Sequence, residues 1–201
     1  MNNKIVQHFK RKDPILFNYF KQIAIDDLQG DLPKNYFTRI CREIVCQQLS
    51  GKAGKVIFNR FKDIFLKGVI SPEAILETTH ETLRNSGMSH AKARYVRNLA
   101  ENVVNGNLEF KNFKKLSNEQ IIEKLTKVKG IGNWTAEMFL MFTMGREDVF
   151  SHGDLGLHKA IKKVYKFKKE PTKERVEKIV SQWSPYKTYG CMVLWGIMDL
   201  K

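Results

Sequence analysis

The sequence predicts an all-α protein built as two helical subdomains. Apolar residues recur at helical spacing almost throughout, as in Val96, Leu99, Ala100, Val103 and Val104 or Ile121, Leu125 and Val128, and sustained period-two alternation is hard to find. Helix starters and turn formers punctuate this pattern at short intervals. At 201 residues with 42% apolar and 11% aromatic side chains, the chain can bury a core and is too short for a large multidomain machine.

The first helix is placed at 14–28, and Pro33 opens a second at 33–49, with a third at 52–66. Ser71-Pro72 starts a short helix at 72–77, another follows at 79–86, and Asn105-Gly106-Asn107 closes a long one at 90–105. Helices at 118–128 and 133–144 flank Gly130-Ile131-Gly132. Gly153 precedes a helix at 154–166, Pro171-Thr172 one at 172–182, and Ser184-Pro185 one at 186–199. No linker or internal repeat interrupts the series. The chain is therefore read as one unit, 1–201, with subdomains at about 33–145 and at 1–32 plus 146–201.

Lys and Arg number 35 against 21 Asp and Glu, a net charge of +14, which implies attraction to a polyanion such as nucleic acid or an anionic membrane surface. Residues 111–175 hold 15 Lys and Arg against 8 Asp and Glu, so half the excess lies in about a third of the chain. Within it, Lys166, Lys168 and Lys169 also read as solvation of a helix end. Cys41, Cys46 and Cys191 form no CxxC pair and are too few for a four-cysteine cluster. Reduced thiols fit a cytoplasmic protein, nucleoid-associated in a bacterium. No apolar window approaches the ~18–20 residues of a membrane span, and MNNKIVQHFKRKDP lacks the apolar stretch of a signal peptide.

From Leu125 the chain reads LTKVKGIGNWTAEMFLMF: an amphipathic helix, a Gly-Ile-Gly turn and an apolar helix, together a helix–hairpin–helix over 118–144. Gly130 and Gly132 can adopt positive φ and let a phosphate approach the amides that start the next helix. A glycine pair alone serves equally as a tight turn between helices. Ile131 between the glycines, with Lys127 and Lys129 beside them, favours the phosphate reading. Such a grip positions DNA without reading its sequence. In DVFSHGDLGLHKAI, Asp154 falls at the N-cap or first turn of a helix, a seat that suits an anion. A lone Asp there reads simply as a cap; its pairing with the hairpin gives it weight.

Four blocks carry a resemblance to the helix–hairpin–helix DNA glycosylase superfamily, and within it to the 3-methyladenine DNA glycosylase II family. They are EIVCQQLSGKAGKVIFNRF from Glu43, LRNSGMSHAKARYVRNLAENV from Leu83, the run from Leu125 to Ile161, and WSPYKTYGCMVLW from Trp183. The resemblance implies that Asp154 is the catalytic carboxylate facing an extruded nucleotide, in an active-site cleft between the subdomains. It makes Trp134, Met138, Trp195 and Gln47 the base-binding pocket, and Lys127, Lys129, Gly130, Ile131 and Gly132 the DNA grip. Gln48 or Leu49 is the candidate wedge that fills the emptied stack, though both also suit a helix C-cap. Bifunctional relatives place at position 134 a lysine that attacks the sugar; Trp134 stands here, which implies hydrolysis without lyase activity.

That chemistry suits the residue types. A purine alkylated at N3 or N7 is cationic and leaves readily, so the enzyme has to hold it and stabilise the sugar. An indole face attracts the cation by ~0.5–2 kcal/mol, and a carboxylate stabilises the oxocarbenium ion that develops on the sugar. Glu137, Glu147 and Asp148 are read as surface or loop acids without a chemical role. His152 and His158 flank Asp154 but lack a third ligand, so neither a metal nor another cofactor is expected. The expected activity is monofunctional excision of 3-methyladenine- or 7-methylguanine-type bases from damaged duplex DNA by a monomer, leaving an abasic site. The alternatives are a related glycosylase for deaminated or oxidised bases and a non-catalytic helix–hairpin–helix DNA-binding protein.

Overall fold

The computed structural model describes residues 2–200, which form helices and connecting turns with no strand among them. They divide into two compact units: Asp31–Met144, and the chain up to Gly30 together with everything from Gly145 onward.

The central unit is assembled around one helix. A 3-10 turn at Pro33–Asn35 leads into α3, Tyr36–Cys46, whose Tyr36, Phe37, Ile40, Cys41, Ile44 and Val45 are all buried. Burying each large apolar side chain of that stripe is worth about 1.5–3 kcal/mol. Against α3 pack α4 (Gly51–Asp63), α7 (His90–Val104) and α9 (Asn133–Met138). The short helices α5 (Pro72–Glu77) and α6 (His80–Asn85) pack against α7, and α8 (Asn118–Thr126) pairs with α9. Caps explain the starts: Ser50, Ser71, Thr79, Ser89 and Ser117 each accept an amide of the first turn. At Ser117 the Gln120 side chain returns the bond, completing a capping box.

Several expected helices end early. The one placed at 33–49 stops at Cys46, because Gln47 leaves helical geometry and Gln48 adopts φ 55°. The one placed at 133–144 is α-helical only to Met138 and continues as a π-helical turn over Phe139–Thr143, with the Met144 N–H reaching the Phe139 carbonyl at 3.0 Å. In that turn Phe139 packs edge-on to Tyr36 and Phe113.

The other unit joins the chain ends. Here α1 (Asn3–Lys12) was not expected from sequence: its apolar contribution is Ile5 and Phe9 amid basic residues, too sparse to stand out. The helix placed at 14–28 is only α2, Pro14–Phe20, and residues 24–32 are irregular. α10 (Leu155–Val164), α11 (Lys173–Val180) and α12 (Lys187–Asp199) complete the unit, with α12 packed on α10 and α2. Among the described residues no helix is long and apolar enough to cross a membrane.

Asp13 ties this unit together. It is buried, caps α2 by accepting the Leu16 amide at 3.0 Å, and accepts the Trp183 indole N–H at 2.7 Å and the Tyr165 hydroxyl. Replacing it with Ala strands an indole N–H and a phenol in the interior, and is expected to cost about 2–4 kcal/mol in denaturant unfolding. Burial, reinforced by the Asp13 charge, holds the Tyr165 phenol far above its ordinary pKa of 10.0. The folded chain therefore keeps a proton that the unfolded chain loses as pH rises through about 10, so stability falls above that pH. Unfolding measured at neutral and strongly alkaline pH should show a shallower alkaline loss in Tyr165→Phe.

Candidate active site

The hairpin turn sits in the central unit between α8 and α9. The Ile131 N–H closes it onto the Val128 carbonyl at 3.0 Å, with Gly130 at φ 106°. That backbone region disfavours any side chain. Space adds a second reason: a Cβ on Gly130 would stand 2.2 Å from Cγ of Tyr95. The two glycines differ here from the sequence expectation. Gly132 has φ −93° and serves as the N-cap of α9, with nothing within 4 Å of a Cβ position.

An open pocket of about 830 Å³ lies beside the turn, walled by Trp134, Thr135, Tyr95, Lys92, Gln47 and Gln48 with the hairpin backbone. Trp134 is 37% exposed and lines this pocket rather than filling the core. Gln47 donates through its side-chain amide to the Gly130 carbonyl and to Thr135 Oγ1, both at 3.0 Å. It thus fastens the end of α3 to the hairpin. Gln48 and Leu49 are exposed in a tight turn closed by the Leu49 N–H on the Cys46 carbonyl at 3.2 Å.

Other predicted residues are placed differently. Met138 is 5% exposed and outside the pocket walls, and Ile131, which lines the pocket, is buried at 4% exposure. Lys127 is exposed and paired with Glu123 at 2.8 Å, while Lys129 is exposed and its carbonyl accepts from Asn98 at 3.3 Å. Tyr95 and Lys92 were missed as individual residues, although the block HAKARY containing them was singled out. Their spacing of three residues on α7 is the signal that places them on one face.

The carboxylate belongs to the other unit. Asp154 is the N-cap of α10, and its Oδ1 accepts the Leu157 amide at 2.8 Å and the Trp195 indole N–H at 3.3 Å. Two donors on one oxygen fix the rotamer. A Cβ at Gly156 would stand 3.0 Å from that oxygen and 3.7 Å from the Trp195 ring, so glycine leaves the carboxylate its seat. The approach to Asp154 is held by buried Thr188, whose hydroxyl donates to the Arg146 carbonyl at 2.7 Å and accepts the Val149 amide at 3.1 Å. The neighbouring acids do structural work: Glu147 accepts the Tyr189 hydroxyl at 3.1 Å, and Asp148 accepts the Ser184 hydroxyl at 2.6 Å. His158 bonds the His152 carbonyl at 2.8 Å, and His152 faces Glu177 at 3.5 Å.

A glycine-turned hairpin followed by an N-capping aspartate agrees with a family model described as HhH-GPD superfamily base excision DNA repair protein, which matches residues 41–185. The chain belongs to the HhH-GPD superfamily. DNA-3-methyladenine glycosylase 1 of Schizosaccharomyces pombe is 37% identical over 196 residues, covering 96% of this chain and 83% of that one. The structure of the S. pombe 3-methyladenine DNA glycosylase in complex with abasic DNA superposes with a TM-score of 0.85 at 31% identity, over 98% of this chain and 97% of that chain. DNA-3-methyladenine glycosidase from Bacillus halodurans gives a TM-score of 0.80 at 36% identity, over 95% and 87%. This HhH-GPD chain is thus similar to glycosylases along nearly its whole length.

Gly130→Ala combines left-handed strain with overlap on Tyr95, and is expected to lower stability by about 2 kcal/mol or more. Gly132→Ala, with extended backbone and open space, should fold like the parent. Paired denaturation curves of the two variants check both statements.

Proposed function

We propose that this protein is a monofunctional DNA glycosylase that removes alkylated bases of the 3-methyladenine and 7-methylguanine type from duplex DNA. The observation that carries this reading is the half-open indole of Trp134 on the pocket beside the hairpin. A cationic base gains on such a face what a neutral base does not, and the names of the relatives point to the same lesion class.

In this reading the hairpin backbone at Gly130–Gly132, with Lys127 and Lys129, holds the sugar–phosphate strand. Gln48 or Leu49, exposed at the end of α3, enters the stack as the nucleotide turns out, a step that costs a few kcal/mol of unstacking. Trp134 stacks on the extruded base. The departing base needs no strong general acid because its positive charge already weakens the glycosidic bond. Asp154 stabilises the oxocarbenium ion and directs water to the anomeric carbon. Trp195 acts through Asp154, keeping one oxygen engaged so that the carboxylate cannot rotate away. Trp134 offers no amine for a Schiff base, so the product is an intact abasic strand. The protein acts as a monomer on DNA, in the compartment that holds it, and uses no metal or other cofactor.

Incubation with methylated duplex is expected to release 3-methyladenine and leave an abasic site that borohydride does not trap on the protein. No base release from methylated DNA, with release of deaminated or oxidised bases instead, would move the enzyme to another lesion class. Binding without any release would make it a DNA-binding module. Asp154→Asn keeps the cap, since Asn caps a helix as well as Asp does, and removes the charge; single-turnover rates should fall by about 10²-fold or more. Trp195→Phe keeps an aromatic ring and deletes the donor, for a loss of about tenfold. Trp134→Ala should weaken retention of the base by about 1–3 kcal/mol, read as a higher KM.

A further inference from the structure

One sequence block, HAKARYVRN on α7, has so far no part in the reaction. Three of its side chains, Lys92, Tyr95 and Asn98, are spaced three apart, so they form a single stripe along the helix. Each meets one of the two DNA-facing turns of the central unit. Lys92 Nζ donates to the Val45 carbonyl at 2.8 Å and to the Gln47 carbonyl at 2.6 Å, the open end of α3. Tyr95 lies under Gly130, and Asn98 donates to the Lys129 carbonyl. Gln47 closes the circuit, its backbone held by Lys92 and its side chain bonded to the Gly130 carbonyl and Thr135. Burial lowers the pKa of the Lys92 ammonium, yet the helix C-terminus facing it is a favourable seat for a cation.

From this geometry we infer that Lys92 is a positioning residue for base extrusion: by clamping the last carbonyls of α3 it sets the Gln48 turn at a fixed offset from the hairpin. Gln48 needs such support, because its left-handed backbone, φ 55°, is disfavoured for a side-chain-bearing residue and persists only where its surroundings hold it. Without the ammonium, the carbonyls of Val45 and Gln47 lose their shared donor and the turn is free to relax. The hairpin keeps its own closing bond between Ile131 and Val128, so its grip on the strand survives. Lys92 thus separates two functions of the unit, holding DNA and opening it.

The inference rests on the glycosylase reading, and its test is chosen to fail separately from it. The full chain and its Lys92→Met and Lys92→Arg variants are titrated with undamaged duplex, and with a duplex carrying 2-aminopurine beside a tetrahydrofuran abasic analogue, neither of which requires base release. Lys92→Met is expected to keep its affinity for undamaged duplex and its log–log salt slope. Its 2-aminopurine response should weaken by about tenfold or more, and Lys92→Arg, which retains the donors, should restore it. A full response from Lys92→Met overturns the inference. So does an equal loss on undamaged duplex, a failure of Arg to restore, or a parent chain that gives no response. Should Lys92→Met not fold, Lys92→Leu takes its place, with no donor for either carbonyl, and a full response from it overturns the inference equally. A parent that responds through Lys92 but releases no alkylated base defeats the glycosylase reading alone.

Discussion

The central unit depends on a close approach of backbone to side chain: Gly130 passes over the Tyr95 ring where no Cβ fits. Because the chain turns left-handed there, α9 starts immediately after the turn and Trp134 falls at its second residue, on the pocket. Because the Gly130 carbonyl faces the Gln47 amide, the end of α3 is fastened to the same point. One contact therefore fixes the hairpin, the pocket wall and the turn bearing Gln48. Relief of any part by a larger residue at position 130 would displace all three, since well-packed interiors transmit strain rather than absorb it.

The carboxylate unit solves a different problem. The Asp154 carboxylate is held still: the Leu157 amide meets it at the N-cap, and the Trp195 indole adds a second donor from α12. Both bonds fall on Oδ1. The loop before Asp154 is fastened by Thr188, on the same helix as Trp195, so α12 determines both where the aspartate sits and how it turns. The nearby acids Glu147 and Asp148 have hydroxyl partners of their own, which explains why a cluster of carboxylates in sequence yields only one candidate for the chemistry.

Helical periodicity reads well wherever a stripe of several apolar residues faces a core, as in α7 and α8, and a starter such as Ser71-Pro72 marks the beginning of α5. It reads poorly at α1, whose two buried residues lie among basic ones, and at residues 24–32, where an apolar pattern without a core to face stays irregular. The ends of α3 and α9 are also overrun. α3 ends where Lys92 reaches the Val45 and Gln47 carbonyls and Gln48 turns left-handed, and α9 gives way to a π-helical segment where Phe139 packs on Tyr36; neither contact leaves a mark within a local window.

The sequence by itself determined the helical class, the hairpin at Gly130–Gly132, the helix-capping place of Asp154 and the family, because these are written in periodicity, turn chemistry and motif spacing over a few dozen residues. Only the tertiary structure decided which side chains support them. Trp195 is 41 residues from Asp154, and Lys92 is 45 from Gln47. It also decided that Met138 and Ile131 are buried, and that one hairpin glycine is obligatory while the other has room. The reason is physical: a hydrogen-bond partner or a steric limit is a property of three-dimensional proximity, and packing between helices sets that proximity at sequence distances no local pattern reaches.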